Sequence, residues 1–270
     1  MAGPTLTPDL TANPWVEVFF EDLHVDTDRL TVYRLSDDRQ WRVRGGVDIS
    51  PGVASLDFEV PFKTAASYRA EQFDSLGNSL GFTESSDITV DYTGTVVHQP
   101  LSPGDLWAKV RILSGSASVL RRPTEGDLVY AEGASVGRWI GTARQGLRAV
   151  PVSLLTETLA DANQLQAMLG TYTTRQIGVL CIRTSDRIRW PRTFFARGDL
   201  DEIERNVKHA GSLIQFDASM DEVEPPFPGL VVPLLTYDDL DAFGDYDEQD
   251  AGWLTYTDRD RAYELAGLAG

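Results

Sequence analysis

Apolar and polar residues alternate in short bursts along most of this chain, and Gly, Pro, Asp, Asn and Ser separate the bursts. A period of two puts successive side chains on opposite faces of a strand, so the pattern predicts short β-strands. Residues 15–20 and 29–35 are rich in β-branched and aromatic side chains, and the second run sets Leu30, Val32 and Arg34 against Thr31, Tyr33 and Leu35. Residues 41–44 continue the pattern after a polar turn at 36–38. Gly45-Gly46 and Pro51-Gly52 then interrupt, and 54–60 alternates with Leu56, Phe58 and Val60 on one face. Tyr68, Ala70, Gln72 and Phe73 mark a further strand, followed by a turn at 74–78 and an extended run at 87–90.

Five or more strands within about a hundred residues, with turn signals every ~8–12, fit a β-sandwich over residues 15–113. An immunoglobulin domain adds a Cys-Trp-Cys pattern, which this stretch lacks, so the expectation is the fibronectin III-like end of the Ig/fibronectin class. Residues 1–14 read as an N-terminal arm. Ser114-Gly-Ser-Ala-Ser118 reads as a junction, because periodicity changes across it, and a fragment ending near Leu113 is expected to fold alone.

Residues 114–235 follow a different grammar. Short strands at 129–130 and 138–140 and a longer one at 147–155 precede a helix that Thr158 caps, with Asp161 at the capping-box position. Leu159, Ala162, Leu165 and Leu169 form its apolar stripe and Gly170 ends it. Strands resume at 177–182, 193–196 and 213–220. One helix inserted among strands predicts a small barrel or an α+β sheet, of which the β-barrel-like domain is the expectation taken for 114–235. Residues 236–270 are acidic but hold Leu240, Phe243, Tyr246, Trp253 and Tyr256, so short packed helices are expected there rather than a solvated tail. The class is thus mainly β, with two β domains and a short helical C-terminal segment.

Charge narrows the partners. With 41 acidic against 24 basic residues and a net charge of -17, the bulk surface is unsuited to nucleic acid or anionic membrane. Only Lys63, Lys109 and Lys208 are lysines, so the basic groups are almost all forked arginine donors. Cys181 is the only cysteine and lies in an apolar run, which predicts a buried small hydrophobe. No run of about eighteen apolar residues occurs, and no export signal opens the sequence.

The motifs of nucleophilic, zinc and phosphate chemistry are missing, and His24, His98 and His209 are scattered, each read as a surface or interface residue. No catalytic residue, cofactor or metal is therefore expected. Asp239-x-Asp241-x-Phe243-Gly244 with Asp250 follows a calcium loop in part, but Phe stands at the fifth position and Asp at the twelfth. Arg183, Arg187, Arg189, Arg192 and Arg197 are read instead as an interface stretch, matched by the acidic and aromatic stretch Asp238, Asp239, Asp241, Phe243, Asp245, Tyr246, Asp247, Asp250 and Trp253.

The stretches Val150-Pro-Val-Ser-Leu-Leu-Thr-Glu-Thr-Leu-Ala-Asp-Ala, Val179-Leu-Cys-Ile-Arg-Thr, Trp190-Pro-Arg-Thr-Phe-Phe-Ala-Arg-Gly-Asp and Ile214-Gln-Phe-Asp-Ala-Ser-Met-Asp-Glu-Val-Glu-Pro-Pro resemble minor tail proteins of siphophages infecting actinobacteria. The resemblance spans nearly all of the chain. It implies a fibronectin-like segment followed by a domain similar to the split barrels that ring the tail tip, hence a structural minor tail or distal tail-like protein of the virion. Its implied partners are further copies in a ring, most plausibly a hexamer, and tail tube, hub, tape measure or tail-tip proteins. The alternatives are a host-surface carbohydrate-binding module and a glycan hydrolase on a fibronectin spacer, since exposed aromatic rings stack on sugars and paired carboxylates leave no local mark.

Overall fold

The structure, a computed structural model, describes residues 2–170, 176–206, 212–228, 237–244, 248, 252–253, 259 and 265. It is mainly β and includes a closed six-stranded barrel. The first eight strands are β1 (Thr5–Asp9), β2 (Trp15–Phe19), β3 (Arg29–Ser36), β4 (Arg39–Arg42), β5 (Ser55–Asp57), β6 (Ala65–Phe73), β7 (Ser79–Phe82) and β8 (Ser86–Thr89). They form two antiparallel sheets, one ordered β1-β2-β5 and the other β4-β3-β6-β7, with β8 also on β6. One core lies between them: Val16 and Val18 from the first sheet meet Leu30, Val32, Ala66, Tyr68 and Ala70 from the second.

Local chemistry explains most of these elements. β6 alternates buried Ala66, Tyr68, Ala70 and Gln72 with half-buried neighbours, the signature of a strand packed hard on one face. The following turn is held by Asp74, whose Oδ1 accepts from the Leu76 and Asn78 amides at 2.9 and 2.8 Å while Gly77 takes φ +82°.

Two expectations need correction here. Residues 5–9 are not part of a free arm: Thr5 to Asp9 pair along their whole length with β2. The expected strand at 54–60 ends at Asp57, because Asp57 and Glu59, at 1 and 4 % exposure, turn into the protein to meet buried arginines.

The remaining elements are β9 (Thr95–His98), β10 (Trp107–Ile112), β11 (Gly126–Val129), β12 (Arg138–Gly141), β13 (Val150–Thr156), α1 (Leu159–Leu169), β14 (Leu180–Thr184), β15 (Thr193–Arg197), β16 (Asp201–Glu204), β17 (Ile214–Glu222) and α2 (Tyr237–Phe243). The order β13-β10-β9-β14-β15-β17 closes through a β13–β17 pairing, and β16 lies on the outside edge of β17. Val97, Val152, Leu154, Leu180, Ile182, Phe194 and Phe216 fill the interior, as a barrel of so few strands requires. α1 adds Ala162, Leu165 and Met168 to this core. The Thr158 hydroxyl accepts from the Asp161 amide at 3.0 Å, as the capping pattern predicts, whereas the buried stripe includes Met168 and leaves Leu159 half exposed.

The barrel begins earlier than the sequence suggests. β9 and β10 belong to it, not to the preceding sheets, so hydrogen bonding changes hands between β8 and β9 and not near residue 113. The Ser/Gly stretch at 114–118 is a turn within the barrel unit, with the Ala117 amide bonded to the Pro151 carbonyl at 2.7 Å.

Candidate functional site: the seam between the two-sheet unit and the barrel

β9 and β14 each have two buried faces. Val97, Leu180 and Ile182 point into the barrel, while Val96 packs into the core of the two-sheet unit. The register sets His98 opposite Cys181 and Val96 opposite Arg183, so these four side chains share the outer face, which the two-sheet unit covers completely. Charged and polar groups concentrate there, where burial makes each partner count.

Arg34 directs Nη1 at both Asp57 oxygens, at 2.8 and 2.6 Å, and both residues are 1 % exposed. The Tyr68 hydroxyl donates to the same carboxylate at 2.7 Å and the Glu59 amide adds a fourth bond at 2.8 Å. Burial opposes the charge on Arg34, but Asp57 outweighs it and holds the guanidinium protonated. Burial, helped by the Asp57 charge, raises the Tyr68 phenol well above its ordinary value.

Arg44 donates Nε to Glu59 Oε1 at 2.8 Å and its two terminal nitrogens to the Phe227 and Pro226 carbonyls, each at 3.0 Å. The Gly45 amide reaches the Pro228 carbonyl, also at 3.0 Å, so the chain leaving β17 is strapped onto the two-sheet unit. Burial pushes the Glu59 carboxyl above its usual range against the pull of Arg44 and Arg34.

Arg183 crosses the seam from the barrel side. Its nitrogens reach the Val60 carbonyl at 3.1 Å and Asn13 Oδ1, and its guanidinium lies 4.6 Å from the Phe62 ring centre. Asn13 in turn donates to the Pro103 carbonyl at 2.7 Å, and Thr193 to the Glu59 carbonyl at 2.8 Å. Burial lowers Arg183 to about 10, which still leaves it charged at neutral pH.

His98 is fully buried, and neither ring nitrogen has a hydrogen-bond partner among the described residues. Burial, then the Arg183 and Arg44 charges, push its pKa well below the ordinary value, so the ring is neutral. Burial raises Cys181 in the opposite sense and keeps it a thiol. This facing pair therefore lacks the thiolate and imidazolium that nucleophilic chemistry would use.

At the solvent end of the seam two adjoining recesses, of about 340 and 260 Å³, share Arg39, Trp41 and Thr193. Glu222 lines one and Arg189 and Arg192 the other. Two of their polar groups are already committed: Glu222 accepts from the Leu147 amide at 2.8 Å and Arg192 donates to the Asp186 carbonyl at 2.8 Å. The arrangement can hold surfaces together, and it presents no nucleophile beside a base.

The predicted interface stretch divides on inspection. Arg183 is wholly buried and unavailable to any acidic partner, because β14 turns it into the seam. Arg187, Arg189 and Arg197 are exposed and Arg192 is half-buried. On the acidic side, Asp241 and Phe243 are exposed, with Phe243 5.0 Å from the half-buried Trp253. The Asp238 and Asp239 side chains and all of Asp245, Tyr246, Asp247 and Asp250 lie outside the described residues. Asp241 sits on a helix, which is not the backbone of a calcium loop, and no cluster of three His, Cys, Asp or Glu suited to a metal occurs among the described residues.

His98, buried within the chain, also corrects the expectation of a surface or interface histidine, and His209 lies outside the described residues. The sequence did hold one signal for the seam. Arg34 shares the face of Leu30 and Val32, and Arg183 follows an apolar run, both places where alternation calls for an apolar side chain.

No helix among the described residues is long and apolar enough to cross a membrane. Scans against protein-family models, curated proteins and solved structures give no match to this chain.

Proposed function

We propose that this protein is a structural, non-catalytic component of a phage tail tip, of the minor tail or distal tail-like kind, assembling with copies of itself and with other tail proteins around the tail axis. The observation that supports it best is the joining of a closed barrel to a two-sheet unit of fibronectin-like strand order. Lettered along the chain as A, B, C, C′, E, F and G, with β7 and β8 as two pieces of G, the sheets read A-B-E against C′-C-F-G. A seam whose buried charges are spent on cohesion suits a rigid building block better than a site that must open and close.

The exposed rings of Tyr130 and Trp139 favour a second reading, a surface that stacks on host glycans. Native mass spectrometry with negative-stain imaging separates the two. A closed ring, six copies being expected, supports the structural reading. A monomer at every accessible concentration, alone and with tail partners, overturns it.

A further inference from the structure

β11 and β12 pair only with each other and form a ribbon reaching out between β10 and β13, with every residue of both strands exposed. A lone pair of strands is marginal in water, so a ribbon retained in the open needs a reason beyond its own stability. Its register puts Leu128 opposite Trp139, and alternation adds Tyr130 to that face. The glycines on this face form a floor. A Cβ at Gly126 or Gly141 would meet the Trp139 ring at 2.7 or 2.6 Å, and one at Gly137 would meet Leu128 at 2.7 Å. The three side chains lie over the ribbon and turn their outer surfaces to solvent, at 50, 57 and 53 % exposure for Leu128, Tyr130 and Trp139. An apolar patch built this way marks a contact surface.

Charge indicates what covers it. Residues 119–148 carry five arginines against Glu125, Asp127 and Glu132, a local positive excess in a chain of net charge -17. The body is therefore the acidic partner. At the far end of the two-sheet unit, Val25 and Leu76 are 91 and 84 % exposed. Glu21, Asp22, Asp26 and Asp28 surround Val25 in sequence and are exposed as well. The 2.9 Å bond from the Asp28 amide to the Phe73 carbonyl ties this loop to the strand that leads into the Leu76 turn.

We propose that the Leu128–Tyr130–Trp139 face of one copy seats on this acidic loop of the next copy. The two patches differ, so the contact is head-to-tail, and it closes into a ring when the rotation between copies allows. Apolar burial supplies the affinity, and the arginine excess of residues 119–148 sets the orientation, because exposed ion pairs alone contribute little. This rests on the reading of the protein as a self-assembling component.

The test is sedimentation velocity of the full chain across a concentration series. Trp139→Ser should raise the concentration for half-assembly by roughly tenfold or more while leaving the melting temperature in place. Asp26→Arg, which reverses a charge on the acidic loop, should also weaken assembly. If the wild type assembles and Trp139→Ser assembles equally well, the ribbon contact is wrong while the wider reading stands. A wild type monomeric throughout, alone and with tail partners, sinks both. Loss of binding to cell-wall polysaccharide in Trp139→Ser, with assembly intact, makes the ribbon a glycan surface and overturns the contact.

Discussion

Asp57 is the most heavily used side chain of the seam, taking two bonds from Arg34, one from Tyr68 and one from the Glu59 amide. Removing one partner of such a buried pair strands the other charge, so Arg34→Met should cost about 3–5 kcal/mol. Tyr68→Phe, which deletes one bond and leaves the ion pair, should cost only about 1–3 kcal/mol. Urea unfolding of the two variants checks the order, and an equal loss in both would contradict it. His98 gives a pH signature. The unfolded histidine titrates near 6.5, while the folded one, buried beside Arg183 and Arg44, resists protonation. Below about pH 6.5 the unfolded chain thus binds more protons, so the stability His98 contributes is complete above that pH and is lost as pH falls. Glu59, raised in the fold, acts with the opposite sign, its contribution being lost as pH rises through its folded value. Subtracting the stability curve of His98→Gln isolates the histidine, and a difference that does not change between pH 5 and 8 would refute the assignment.

At the scale of elements, the strands divide by what they bury. β13 alternates inside and outside residues and pairs with β10 on one side and β17 on the other, so its loss opens the barrel. β11 and β12 bury nothing, and the ribbon joins the barrel through a stem where Arg121 bridges Arg148. Replacing residues 126–141 by a short Gly/Ser turn should therefore change unfolding free energy by less than about 0.5–1 kcal/mol. A far larger loss in thermal or urea unfolding would show that the ribbon supports the barrel.

For the whole molecule, the seam argues that the two β units unfold together. A chain cut near Leu113 keeps β9 and β10 but loses β13 and β14, which pair with them, and Arg183 and Thr193, which bond to the two-sheet unit. Such a fragment leaves β9 and β10 paired only with each other, with open edges and Val97 exposed, and should aggregate or unfold without a cooperative transition. The full chain should melt in a single calorimetric step. Two separate transitions, or a cooperative fragment, would show the seam to be dispensable.

Local rules settled what local physics controls. Alternation located most of the strands, Thr158, Asp161 and Gly170 delimited α1, and Asp74 with Gly77 marked the β6–β7 turn, because each depends on neighbours only a few residues away. Charged residues at inward positions, Arg34 above all, were readable as anomalies without their partners. The partners themselves are distant: Arg183 meets Val60 and Asn13 across more than a hundred residues, and Arg44 meets Pro226 and Phe227 across still more. Periodicity carries no information about which strand pairs with which, so β9 and β10 read the same whether they finish a sandwich or begin a barrel. Only the closed ring of hydrogen bonds from β13 round to β17 decided that, and only the packing of the two-sheet unit on the outer face of β9 and β14 buried Arg183, His98 and Cys181.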